Sequence, residues 1–193
     1  MAVPRILVVP GSLRESSPNV RLAALAAKQL TLADADVTRL SLADYPLPIY
    51  DADDAAASGP PHNAVKLKRL LCAHQGVLIA SPEASASIAP LLKNAIDWIA
   101  TVRERGEPPL AAYRDRVFAL AGAAPGPAGA ALALIALRQV LTVGCRALVL
   151  AEQVTVSNAD DAFDEMDELK DARAAEDLEL VVRRLVDTAR LLA

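Results

Sequence analysis

The hydrophobic and polar positions along the chain fall into five short apolar runs, near Arg5–Val9, Asp36–Leu40, Gly76–Ala80, Val117–Ala121 and Ala147–Leu150. Most are nearly unbroken Val, Leu, Ile and Ala, the pattern of strands covered on both faces. Between them lie longer stretches in which apolar residues recur every three or four positions. Asn19–Leu30 repeats Leu22, Leu25, Ala26 and Leu30, with Arg21 and Lys28 turned elsewhere. Asn63–His74 does the same through Val65, Leu67, Leu70 and Leu71, and Pro90–Thr101 through Leu92, Ala95, Ile96 and Ile99. Further helices are predicted over Ala130–Val143 and Glu168–Leu191, the last with Leu178, Val181, Leu185, Ala189 and Leu192 on one stripe. Strands alternating with helices predict an α/β fold, a doubly wound five-stranded parallel sheet with helices on both faces. Tyr45–Pro61 reads as the longest loop.

Length and composition narrow this picture. A chain of 193 residues builds one substantial core, so residues 1–193 are expected to form a single domain. Hydrophobic residues at 53% and charged ones at 23% are a folding mixture, far from the composition of disorder. A net charge of -4 without clustered Lys and Arg argues against a nucleic-acid surface. Met1–Pro10 lacks the pattern of a signal peptide. Ala119–Leu137 holds three glycines and two prolines, so it does not read as a membrane span. A soluble, cytoplasmic protein is expected. Cys72 and Cys145 have no neighbours at metal-ligand spacing and read as packing residues, with no metal site expected.

Ligands of open α/β sheets sit outside the carboxyl ends of the strands, which directs attention to the loops after the first, third and fourth runs. The first reads Gly11-Ser12-Leu13-Arg14-Glu15-Ser16-Ser17-Pro18-Asn19, with Ser17 as N-cap and Pro18 as first helical residue. Free amides at a helix start, serine hydroxyls and Arg14 suit an anion, each charge-assisted bond contributing about 1.5–3 kcal/mol. A serine that merely caps its helix accounts for the same residues. The spacing is neither GxGxxG nor GxxxxGK[ST]. The third-strand loop, Ser81-Pro82-Glu83-Ala84-Ser85-Ala86-Ser87-Ile88-Ala89, has small side chains that leave amides open to the edge of a flat heterocycle. A serine-rich turn with Glu83 in solvent is the plainer reading. Gly122 to Gly129 permits close backbone approach to a ligand, or a tight turn. None of these loops offers a convincing catalytic His, Cys or carboxylate pair.

Gly11-Ser12-Leu13-Arg14 with Ser17 and Asn19, Ser81-Pro82-Glu83, Leu92-Lys93-Asn94-Ala95-Ile96-Asp97-Trp98, Ala124-Pro125-Gly126 and Ala162-Phe163-Asp164-Glu165 together resemble the NADPH-dependent FMN reductase family. That family includes quinone, azo-dye and chromate reductases of flavodoxin-like fold. The resemblance runs nearly end to end and implies phosphate contacts at Ser12, Arg14, Ser17 and Asn19. It implies that the third-strand loop lines the isoalloxazine ring, with Pro82, Glu83 and Ser87 retained. Ala84, Ser85 and Ala86 stand where Tyr, Asn and Gly are usual, and Ala89-Pro90 where Pro-Gly is usual. The candidate cofactor-binding set is therefore Ser12, Arg14, Ser17, Asn19, Pro82, Glu83, Ala84, Ser85, Ser87 and Ala124. A lost aromatic contact is worth about 0.5–1.5 kcal/mol, enough to loosen FMN, and Ala84 leaves room for a different acceptor. The resemblance implies an NAD(P)H oxidoreductase in which FMN carries the chemistry, with a quinone, free flavin or similar acceptor, assembled as a homodimer or homotetramer. The alternative is a flavodoxin-like flavin-binding or electron-carrier module without turnover.

Overall fold

The computed structural model describes residues 2–193. Seven strands and six α-helices follow one another as β1 (Arg5–Pro10), α1 (Pro18–Leu32), β2 (Asp36–Arg39), α2 (Ala52–Ser58), α3 (His62–Cys72), β3 (Gly76–Ala80), β4 (Glu83–Ala84), β5 (Ser87–Ile88), α4 (Pro90–Thr101), β6 (Val117–Ala123), α5 (Ala131–Gln139), β7 (Leu148–Val156) and α6 (Ala172–Arg190). Five strands form one parallel sheet in the order β2-β1-β3-β6-β7, and β4 and β5 make a separate antiparallel pair. The chain leaves β1 in one direction along the sheet and continues from β3 in the other. The switch point thus lies between β1 and β3, where doubly wound sheets hold their ligands.

Two apolar layers sandwich the sheet because strand residues alternate between faces. Ile6, Val8, Leu78, Ala119 and Ala121 point to one side, against Leu22 and Leu25 of α1 and Leu178, Val181 and Leu185 of α6. Leu7, Val9, Val77, Ile79, Phe118 and Leu120 point to the other, against α3, α4 and α5. Burial on both faces explains the unbroken apolar character of β1, β3 and β6.

Several elements differ from their expected bounds. The last strand is not Ala147–Leu150 but the nine-residue β7. Its pairing jumps from Phe118↔Val149 to Leu120↔Gln153, a bulge that carries β7 past its polar Glu152 and Gln153. The final helix begins at Ala172 rather than Glu168, because the Asp171 carboxylate accepts from the N–H groups of Arg173 (2.8 Å) and Ala174 (3.3 Å). Glu168 instead holds Lys28 at 2.5 Å. Tyr45–Pro61 is not all loop. Asp51 caps α2 through the N–H groups of Asp53 (2.8 Å) and Asp54 (3.1 Å), and no residue of α2 is buried. The helix predicted over Ala130–Val143 ends at Gln139 and widens into a π-turn over Val140–Gly144. Among the described residues no helix is long and apolar enough to cross a membrane.

Candidate active site

Loops from three adjacent strands meet at the carboxyl edge of the sheet and are hydrogen-bonded to one another. Gly11 N–H donates to Ala80 at the end of β3 (2.8 Å), Ser81 N–H to Ala121 of β6 (2.8 Å), and Ala124 N–H to Val156 of β7 (3.1 Å). At Gly122 the backbones approach so closely that a side chain would not fit, since a Cβ there would meet the Ser81 carbonyl at 2.7 Å. A Cβ on Gly11 would meet the Leu92 side chain at 2.4 Å.

In the first loop Ser17 is the N-cap: its hydroxyl accepts from Asn19 N–H at 3.3 Å, and Pro18 opens the helix as expected. Ser12 accepts from Arg14 N–H at 3.2 Å, turning the loop back on itself. Gly11, Arg14, Ser17 and Asn19 N–H groups are thereby engaged, whereas the amides of Ser12, Leu13, Glu15 and Ser16 have no acceptor among the described residues. Four open amides, the hydroxyls of Ser12 and Ser16 and the exposed guanidinium of Arg14 form a donor-rich crest, while Ser17 is buried. That is the chemistry an anion needs, so the loop fits the phosphate of a flavin mononucleotide.

Asn19 is placed differently from the expectation. Its side chain is buried, the Nδ2 donates to the Ala123 carbonyl and the Oδ1 accepts from Ala123 N–H, both at 2.9 Å. Each end of the amide makes one bond joining the start of α1 to the end of β6. It holds the first loop against the neighbouring one. Nothing in the local sequence signals this, because the partner is 104 residues away.

The third-strand loop is a β-hairpin, with Glu83 opposite Ile88 and Ala84 opposite Ser87. Ser85 and Ala86 form its two-residue turn at φ 49° and 58°, the left-handed pair of a type I′ turn. Asn-Gly is the sequence that turn prefers, which is the physical content of the Asn and Gly usual at these positions. Here the hairpin persists without them. Pro82, Glu83, Ala84 and Ser87 are half-buried and Ser85 is exposed. Glu83 does not lie free in solvent, since its carboxylate accepts from Ala133 N–H in the first turn of α5 at 3.2 Å. A carboxylate there complements the helix dipole and fastens the hairpin to α5. Ala124 is buried at the start of the third loop, while Pro125 to Ala128 are exposed.

A hollow of about 190 Å³ beside the first loop, between Leu13, Leu47 and Leu91, had no signal in the sequence beyond scattered apolar loop residues. Its wall is strapped to α4 by Asn94, which accepts from Tyr50 N–H at 2.7 Å and donates to the Pro48 carbonyl at 2.9 Å. Trp98 is buried and donates its indole N–H to the same carbonyl at 2.8 Å. The Lys93–Asp97 pair forms at 2.7 Å. Cys145 is a packing residue, its thiol pushed up to about 11 by burial. Cys72, by contrast, is exposed and is not a packing residue. No group of three metal-ligating side chains occurs among the described residues.

Comparison with known proteins resolves what kind of molecule carries this crest. The family profile described as NADPH-dependent FMN reductase matches residues 4–161. The chain belongs to this family. It is accordingly an oxidoreductase with FMN as cofactor and NAD(P)H as reductant. It is 32% identical over 189 residues to an NAD(P)H-dependent FMN reductase of Pseudomonas aeruginosa, covering 94% of this chain and 96% of that protein. A 2-hydroxy-1,4-benzoquinone reductase of a Burkholderia species is 34% identical over 136 residues, covering 70% of this chain and 69% of that protein. Among solved structures, the flavoenzyme NAD(P)H:(acceptor) oxidoreductase FerB of Paracoccus denitrificans superposes with a TM-score of 0.77 at 28% identity, covering 98% of each chain. The flavodoxin-like fold follows, and a carrier without turnover is not favoured.

Proposed function

We propose that this FMN reductase family member transfers reducing equivalents from NAD(P)H to a quinone, free flavin or similar small acceptor, and that its first loop holds the FMN phosphate. The observation that carries the proposal is the set of open amides at Ser12, Leu13, Glu15 and Ser16, joined by the hydroxyls of Ser12 and Ser16 and by Arg14 at the switch point of the sheet. FMN held there would supply the hydride-transfer chemistry between NAD(P)H and the acceptor. The protein binds, orients and excludes water. Ser12, Ser17 and Arg14 neutralise and position the phosphate. Asn19 ties the first loop to Ala123, and the hairpin of Pro82, Glu83, Ala84, Ser85 and Ser87, together with Ala124, would line the ring site. The small side chain at Ala84 leaves space over the ring site, which favours acceptors bulkier than a Tyr there would admit. Relatives named as quinone reductases support that acceptor class. The exposed apolar Leu13 and Ile49 near the site favour a homodimer or homotetramer, and the reading places the protein in the cytoplasm.

The test is an FMN titration followed by absorbance and flavin fluorescence. S17A/R14A is expected to weaken FMN at least about tenfold while riboflavin, which lacks phosphate, is affected little. Unchanged FMN affinity rejects the phosphate loop. NADPH or NADH oxidation with several quinones and free flavin tests turnover, and no turnover with any of them rejects the acceptor class.

A further inference from the structure

A second cluster of cations lies at the opposite edge of the sheet. β6 begins at Val117 and β7 at Leu148, so Arg114, Arg116 and Arg146 precede those strands at the amino edge, away from the flavin loops. The three line one open cleft of about 470 Å³. Arg116 is 7% exposed and held in place by carbonyls, its Nη1 donating to Ala111 at 2.8 Å and its Nε to His74 at 3.4 Å. The Nε of Arg114 is out of water and has no acceptor.

None of the three forms an ion pair among the described residues, although the chain has more acids than bases. Seven other cations do hold carboxylates, Arg21, Lys28, Lys68, Arg69 and Lys93 among them at 2.7 Å or less, so what sets these three apart is that they share one cleft. Burying a guanidinium is costly, and burial lowers the Arg116 pKa from its ordinary value, with Cys72 and Asp115 acting against that shift. The other titratable groups facing Arg116 are Asp115, on the cleft wall, and the Cys72 thiol. Asp115 is exposed and makes no ion pair to any of the three.

We infer that the cleft between Arg114, Arg116 and Arg146 binds a phosphate-sized oxyanion, free or as a phosphomonoester. Planar guanidinium forks match tetrahedral oxyanions through paired N–H donors. Arg116 supplies a guanidinium already ordered by its two carbonyl acceptors. Arg114 adds a second guanidinium from the cleft wall and Arg146 a third from the turn before β7. This site is separate from the flavin loop, and only its test draws on the flavin reading, in which FMN fills the first loop.

Thermal unfolding of the FMN-saturated protein tests it, with sodium phosphate titrated against sodium chloride at matched ionic strength. FMN occupies the first loop, so the phosphate response reads the arginine cleft. Phosphate is expected to raise Tm with saturation, as a ligand of the native state must. R114Q/R146Q is expected to need at least about tenfold more phosphate for the same rise. R146Q alone, at an exposed position that folding tolerates, gives a smaller shift in the same direction. Adenosine 5′-monophosphate in a parallel titration separates the sources: a lower midpoint than phosphate identifies a phosphomonoester, an equal one the free anion. An equal phosphate response in the natural protein and both variants, or one that chloride reproduces, overturns the site. Both variants keep the first loop intact, so loss of FMN binding in the natural protein would count against the flavin reading alone.

Discussion

Replacing Ala86 by Gly is expected to stabilise the protein, because the hairpin turn asks of Ala86 a conformation that its Cβ resists. Its φ of 58° lies in the left-handed region, beside Ser85 at 49°. An L-residue with a Cβ held there costs about 1–2 kcal/mol. Glycine removes that cost but returns about 0.5–1 kcal/mol through the greater freedom of its unfolded chain. The balance for A86G is a gain of about 0.5–1 kcal/mol, and S85N/A86G, which restores the preferred turn pair, reaches about 1 kcal/mol. For a domain of this size 1 kcal/mol is a Tm rise of about 2–4 °C. The counterpart A86V places a β-branched residue at positive φ and is expected to lose more than 1 kcal/mol relative to Ala. Urea unfolding at constant m-value measures the series, with the order A86G above natural above A86V. An A86G variant no more stable than the natural protein, or an A86V variant equal to it, would show that the turn does not hold the left-handed pair and would remove the strain argument.

The clamp at Asn19 and the anchor at Glu83 give separate expectations. N19A leaves the buried N–H and carbonyl of Ala123 without partners, for a loss of about 2–4 kcal/mol in denaturant unfolding; a loss below about 0.5 kcal/mol would mean water replaces the amide. E83A removes the acceptor at Ala133 N–H and is expected to cost about 1 kcal/mol and to weaken FMN, whereas an effect on stability alone would detach the hairpin from the ring site. The pH dependence is carried in part by Glu104, which Lys68 and then Arg69 hold at a pKa of about 2, below its ordinary 4.5. A carboxylate depressed in the folded state adds stability above about pH 4.5 and loses it as pH falls from there to about 2. E104Q is therefore expected to flatten the stability profile across that window, and a slope equal to the natural protein's would rule the cluster out as a source of acid sensitivity.

The fold was legible where burial on both faces left continuous apolar runs. β1, β3 and β6 begin where their Val, Leu and Ile residues begin, since nothing polar survives in a strand packed between two helical layers. β7 was not, because it is an edge strand whose outer face tolerates Glu152 and Gln153 and whose bulge breaks the apolar run. α2 was invisible for the converse reason: it buries nothing, so it has no apolar stripe to read, and only the Asp51 cap announces it. The hairpin has strands of two residues each, too short for any alternation to register.

At the site, the sequence identified loops more reliably than it assigned roles within them. Ser17 capping α1 is a local event and was readable from Ser17-Pro18 alone. Asn19 and Glu83, offered by the sequence as ligand contacts, are bound to backbone groups 104 and 50 residues away. Two of the polar side chains in these loops thus hold the loops to each other. Under the proposed phosphate reading the ligand contacts fall largely to the backbone amides of Ser12, Leu13, Glu15 and Ser16, which have no acceptor among the described residues and which nearly every residue type possesses. That division explains how the third-strand loop can carry Ala84, Ser85 and Ala86 and still keep its hairpin register, Glu83 to Ile88 and Ala84 to Ser87. Side-chain identity there sets the space over the ring and the strain in the turn, while the scaffold is fixed from Glu83 and Asn19. Substitutions at Ala84–Ala86 should therefore move acceptor preference before they move FMN affinity, and substitutions at Asn19 should do the reverse.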